Sequence, residues 1–319
     1  MNAKPYPIEI EPVDISAYKV GNTGVPYVTT FDSGTPGPHV MVMALTHGNE
    51  LCGAITLDYL LRHDIRPIQG KLTFGFHNVA AYSMFDRTDP IASRFVNEDL
   101  NRVWGVDVLD GDRDTEETRR ARAMRPVIDT VDLLLDIHSM TNDSPALMLC
   151  GPLDKGRDLA FTLKSPIYVV ADAGHAAGKR LRDYGRFGDP AARQNALLLE
   201  AGQHWRADAV TVSMDVALRF LRHTGAIHED VFQAHINSDE ATLADQKYIK
   251  VSGPHTIKSD VFTWADDYTG MELIEKAGTV IGWDGDREVV TPYDNCVLIM
   301  PNKLKTKGHS AVRFGHLMS

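Results

Sequence analysis

Short, almost wholly apolar runs recur along this chain, and the stretches between them carry helical spacing. HVMVMALTH (39–47) leads into the turn Gly48-Asn49 and then ELCGAITLDYLLRHDI, where Leu51, Ile55, Leu60 and Leu61 recur at roughly helical intervals. GKLTFGFHN alternates Leu72, Phe74 and Phe76, while VDLLLDIHS, SPALMLCG, SPIYVVADA and NALLLEAG supply further strand-like runs. Strands interleaved with helices predict an α/β fold, with a mainly parallel or mixed sheet flanked by helices.

The pattern changes after ADAVTVSMDVALRFLRHTG (207–225), a helix that ends at Gly225. From about 229 onward, HTIKS, DVFTWADD, GTVIGWDGDREVV and NCVLIMP read as short β segments separated by turns. The expected boundary therefore lies near residue 226, dividing an α/β domain (1–226) from a small C-terminal β domain (227–319). The acidic stretch VWGVDVLDGDRDTEE has Gly111 out of register for a calcium loop and reads as a solvated helix start.

A formal net charge of -10 argues against nucleic acid or an anionic membrane as the main partner, since both favour clustered basic residues. An anionic small molecule would have to be held by particular arginines. Cys52, Cys150 and Cys296 are widely spaced and odd in number, as expected of free thiols in a reducing compartment. The first residues form no apolar leader, and VMVMAL and VDLLLDI are far too short to span a membrane. The expectation is a cytoplasmic protein, with a homo-oligomer left open.

Three of the apolar runs end on residues that are costly to bury. His47 and Glu50 follow the first, His138 ends the second and Glu200 ends the third. Open α/β sheets place their ligand crevice at the carboxyl ends of the strands, so these groups are expected along one edge. A lone His-x-x-Glu carries little weight in a chain with 13 histidines, but its position adds weight. Two histidines and a carboxylate suit a catalytic zinc, one per chain, with a coordination position left for water. The remaining carboxylate, Glu200, then serves as general base. Asp136 is expected on the opposite strand face from His138, as a supporting partner outside the ligand set. Further on, SRFVNEDLNRVW brings Arg94, Asn101 and Arg102 together, and an Asn-Arg pair can bind a substrate carboxylate.

Taken in order, HGNE (47–50), EDLNR (98–102), DIHS (136–139) and LEAG (199–202) resemble the succinylglutamate desuccinylase and aspartoacylase family, a branch of the zinc carboxypeptidase superfamily. The similarity spans roughly residues 38–225. It implies a zinc-carboxypeptidase-like mixed sheet, zinc held by His47, Glu50 and His138, and Glu200 as general base. It further implies that Asn101 and Arg102 bind the substrate α-carboxylate, that Arg94 polarises the scissile carbonyl, and that the late β domain narrows the entrance. In this family an arginine shortly before the catalytic glutamate grips a second carboxylate. RDYGRFGDPAARQNALLLE offers Arg186 and Arg193 there, and Arg193 is the expected substrate contact.

Gln203 and His204 either line the pocket or open a helix. His77 and His175 are expected to be structural histidines, and Cys52 an apolar filler. The function expected is a zinc-dependent amidohydrolase acting on a small N-acyl amino acid. Its rivals are a metallocarboxypeptidase acting on peptide C-termini and a binding protein that has lost the chemistry; a buried Glu200 argues against the latter.

Overall fold

The apolar runs become the interior strands of one large sheet. The structure is a computed structural model that describes residues 6–238 and 243–318. It opens with β1 (Val28–Asp32) and β2 (His39–Ala44), then α1 (Leu51–Arg62), β3 (Lys71–Phe76) and the single turn α2 (Val79–Tyr82). Next come α3 (Val106–Leu109), α4 (Glu116–Ile128), β4 (Leu133–Met140), β5 (Leu147–Leu149), α5 (Asp154–Leu163) and β6 (Tyr168–Ala171). The long β7 (Asn195–Gln203) and α6 (Ala207–His223) complete the part read as α/β.

In β2 and β7 every residue is buried, because helices cover both faces of the sheet. Side chains alternate between the two layers. Val40, Val42 and Ala44 pack with Leu57 and Leu60 of α1 and Ala217 and Leu221 of α6. Met41 and Met43 face the other way, against Met124 and Ile128 of α4. Truncating one such side chain, as in Leu57→Ala, costs about 2–5 kcal/mol. The acidic stretch runs through α3 to the start of α4, where the Thr115 hydroxyl accepts from Thr118 N–H and Glu116 and Glu117 occupy the first turn.

Past residue 228 the chain differs from its sequence reading. Glu229–His235, read as the start of a β region, forms a helix, α7, too short to display a helical period. The strands that follow are β8 (Lys247–Thr256), β9 (Phe262–Trp264), β10 (Leu273–Ile274), β11 (Val280–Asp284), β12 (Arg287–Val290), β13 (Cys296–Ile299) and β14 (Ser310–Met318). They do not all form a separate sheet. β8 pairs in parallel with β6, from Tyr168 opposite Lys247 to Ala171 opposite Lys250, so the central sheet continues into the C-terminal region. Its order is β1-β3-β2-β4-β7-β5-β6-β8-β14-β13-β10, and β12-β11-β9 form a small second sheet.

All three cysteines are free and buried. Among the described residues, no helix is long and apolar enough to cross a membrane.

Candidate metal centre

Three neighbouring parallel strands, β2, β4 and β7, deliver the polar residues to one edge. His138 lies directly opposite Glu200 in the β4–β7 register, so the two side chains share a face. Just beyond, the register shifts between His138 and Met140, and Gly202 takes a φ of 115°, which a residue with a Cβ rarely adopts. After β2 the chain turns sharply through Leu45 (φ 63°). Gly48 fits here because it has no side chain: an added Cβ would lie 2.3 Å from the Ala81 carbonyl carbon and 2.5 Å from the Ser93 oxygen. Glu50 then immediately precedes α1.

His47, Glu50 and His138 form the one group of potential metal ligands found among the described residues, with ligand atoms within 4.8 Å of one another. All three are buried. His47 Nδ1 lies 2.8 Å from Glu50 Oε1, and His138 Nδ1 lies 3.0 Å from Glu50 Oε2. The second contact is not aligned as a hydrogen bond, and Glu50 Oε2 has no hydrogen-bond partner among the described residues. Close, buried and misaligned polar atoms of this kind suit a shared cation better than one another. The far nitrogen of each ring is backed by a carboxylate: Asp136 Oδ2 is 2.8 Å from His138 Nε2, and Asp99 Oδ1 is 2.8 Å from His47 Nε2. This is the outer support typical of metal-binding imidazoles.

Asp136 is the supporting partner expected from the sequence, but not on the opposite face: residues i and i+2 of a strand share a face, and it stands beside His138. Asp99 carries no mark in the sequence, because it sits in an irregular acidic stretch without a period. It also receives Arg94, whose Nη2 is 3.2 Å from Asp99 Oδ2 and 3.0 Å from His47 Nε2. Arg102 Nη2 is 3.8 Å from the same carboxylate. The Asn101 side-chain oxygen accepts from Leu181 N–H at 3.0 Å, which leaves its amide nitrogen as the group free to donate elsewhere.

The surroundings split the carboxylates. Glu50 is fully buried, yet the neighbouring His47 and His138 hold it well below the usual carboxylate range. Burial opposes ionisation of Asp99 as well, and His47, Arg94 and Arg102 overcome it. Glu200 goes the other way: burial pushes it up to about 8, with His138 opposing the rise and the Glu50 charge adding to it. Its Oε2 is buried without a hydrogen-bond partner among the described residues. His138 is raised well above its ordinary value despite burial, because Asp136 and Glu50 flank it.

Arg193 is not brought to this edge. It precedes β7 at the opposite end of the strand from Glu200, its side chain is 86% exposed, and the nearest carboxylate is Asp132 at 3.7 Å. Arg186 donates to the Asp129 carbonyl, also away from the cluster. Two other arginines lie closer. Arg180 is buried, with Asp183 2.6 Å and Asp172 3.6 Å away, and Arg313 of β14 is 3.3 Å from Asp172. No local pattern marks these residues, because the sheet brings them together from distant parts of the chain. His204 forms a turn and is wedged between Ser139 (2.8 Å) and Thr141 (3.1 Å), and burial holds it near 3 and therefore neutral. His77 hydrogen-bonds to Thr46, and His175 accepts from Ala177 N–H. A cavity of about 310 Å³ opens just past Glu200, lined by Gly202, Gln203, Arg206 and, from the C-terminal region, Thr269.

Residues 36–223, more than half of the chain, match the model of the succinylglutamate desuccinylase/aspartoacylase catalytic domain. The chain belongs to that family. Members of the family are hydrolases of acylated amino acids. The fold is similar to that of a succinylglutamate desuccinylase/aspartoacylase from Rhodobacter sphaeroides, with a TM-score of 0.66 at 17% identity over 92% of this chain and 89% of that one. A succinylglutamate desuccinylase from Chromobacterium violaceum has a TM-score of 0.65 at 15% identity, covering 92% and 89%. The product-bound Ectoine utilization protein EutE (DoeB) from Ruegeria pomeroyi has a TM-score of 0.60 at 15% identity, covering 92% of each chain. No curated protein matches the chain by sequence.

Proposed function

We propose that this family member is a zinc-dependent amidohydrolase that removes the acyl group from a small N-acyl amino acid. The observation that carries the reading is the unlike pair of glutamates: Glu50 is held ionised between two imidazoles, while burial pushes Glu200, in register with His138, up to about 8. The donor set fits zinc, with His47, Glu50 and His138 as its ligands. When bound there, zinc supplies a Lewis acid that makes water a competent nucleophile near neutrality and a positive charge that favours the carboxylate form of Glu200.

In this reading Glu200 takes the proton of the attacking water and returns it to the departing nitrogen, so the products are a carboxylic acid and a free amine. Arg94 stabilises the negative charge that develops on the amide oxygen. The guanidinium of Arg102 and the free amide nitrogen of Asn101 hold the α-carboxylate. Arg180 and Arg313 add positive charge next to Arg102 in an otherwise acidic protein, which supports an anionic substrate.

The test combines metal analysis with amine release across a panel of N-acyl amino acids and C-terminal dipeptides. About one zinc per chain is expected, with activity lost to a chelator and restored by zinc. Full turnover by metal-free protein, or cleavage of peptide C-termini alone, would overturn the reading.

A further inference from the structure

Three buried polar groups beside the metal centre have no part in the mechanism above: Thr46, His77 and Trp104 are all fully shielded from solvent. The Thr46 hydroxyl donates to Asp136 Oδ1 at 3.1 Å, while Asp136 Oδ2 faces His138 Nε2 at 2.8 Å. His77 Nδ1 lies 3.0 Å from the same Thr46 oxygen. A hydroxyl has one proton to give. Having given it to Asp136, Thr46 must accept from His77, which fixes the His77 proton on Nδ1. That leaves Nε2 of His77 as a bare acceptor, and it is indeed buried without a partner among the described residues. The Trp104 indole N–H is also buried without a partner among the described residues, with the two ring centroids 5.6 Å apart. The His77 backbone is pinned on both sides: its N–H donates to the Ala44 carbonyl at 2.8 Å, and its carbonyl accepts from Arg120 Nε at 2.7 Å.

These residues follow β3 and β2 and lie on β4, which are neighbours in the sheet, so a directed line of hydrogen bonds runs across the strand ends to His138. We propose that Thr46 and His77 are positioning residues that lock Asp136, and through it the ring orientation and tautomer of His138, and thereby set the affinity of the metal centre. With both Asp136 oxygens occupied, His138 keeps its proton on Nε2, and Nδ1, on the side of Glu50, is the nitrogen that would give up its proton to a metal ion. The support of His47 is of another kind. Asp99 is partly exposed and shared with Arg94 and Arg102, so that arm is tied to the substrate clamp, whereas the His138 arm is dry and tied only to the fold.

The inference rests on the metal reading, and the experiment separates the two. Zinc affinity is measured by chelator competition on the wild-type chain, Thr46→Val, Thr46→Ser and His77→Phe. Thr56→Val serves as control, because its hydroxyl makes an equally buried 2.8 Å bond to Ser213 between α1 and α6. Thr46→Val and His77→Phe should weaken zinc binding by roughly 10–100-fold. Thr46→Ser and Thr56→Val should stay close to wild type. Unchanged affinity in both Thr46→Val and His77→Phe overturns the proposal and leaves the metal reading standing; a folded wild-type chain that binds no zinc overturns both. Imidazole nitrogen NMR of the metal-free wild type decides the matter even if the variants fail to fold. It should find the proton on Nδ1 of His77, and a proton on Nε2 of His77 instead would refute the scheme.

Discussion

Glu50 and Glu200 share one buried site and differ only in their neighbours, and in the proposed mechanism that difference divides their roles. Two imidazoles keep Glu50 an anion suited to a cation, while burial keeps Glu200 ready to hold a proton. Glu200→Gln preserves size and deletes the proton acceptor, so zinc content should persist while turnover falls by roughly two to four orders of magnitude. Glu50→Ala should lose zinc as well, and metal analysis beside one turnover assay distinguishes the two. The raised Glu200 also has a consequence for stability without metal. Its folded-state value, about 8, exceeds the ordinary 4.5, so the folded chain keeps a proton that the unfolded chain has released. That contribution is fully present below the ordinary value and is lost as pH rises through about 8. Chelator-treated wild type should therefore lose more stability than Glu200→Gln between mildly acidic and alkaline pH in urea titrations; parallel curves would refute the assignment. At this scale the sequence is most legible where an apolar run ends on a charge, as at His47, His138 and Glu200. It is silent where a residue's partner lies elsewhere in the fold, as with Asp99, Arg180 and Arg313.

The segment carrying Arg94, Asp99, Asn101 and Arg102 has little regular structure of its own, and a helix behind it holds it in place. Glu117 in the first turn of α4 is completely buried and accepts from Val96 N–H (2.7 Å), Asn97 N–H (3.1 Å), Glu98 N–H (3.3 Å) and the Asn78 amide (3.1 Å). Four donors offset the desolvation of one carboxylate. Glu117→Gln turns an acceptor into a donor facing N–H groups, so the proposed carboxylate clamp of Asn101 and Arg102 should loosen. KM for a carboxylate substrate should rise about tenfold, as expected for losing a hydrogen bond to a charged group, with zinc content unchanged. An N-acyl amino acid amide should be affected far less, and equal losses on both substrates would show a general structural defect instead. Helical spacing made α1 and α6 readable, and so did the fully apolar strands. By contrast, α7 is too short to show a period, and the role of Glu117 depends on which loop α4 meets, which no local pattern encodes.

Across the whole molecule, the expected two-part division is tied together by hydrogen bonds and by a shared core. β6 pairs with β8, and Met140, Leu147, Leu149, Val170 and Leu198 form one buried cluster with Ile249, Met271, Val297 and Ile299. Arg313 reaches back to Asp172 across the same junction. The alternation of the late strands is visible in the sequence, but the parallel pairing of β8 with β6 is a choice of partner between distant segments, and strand periodicity carries no information about it. Cutting the chain after residue 238 would leave β6 with an unpaired edge and expose one side of that cluster, a combination that favours aggregation. The shortened chain should be poorly soluble or lose its cooperative unfolding transition, and it should bind zinc more weakly than the full chain. Cooperative melting and unimpaired zinc binding by residues 1–238 would show instead that the catalytic part is self-sufficient and that the continuous sheet contributes little to holding the metal centre.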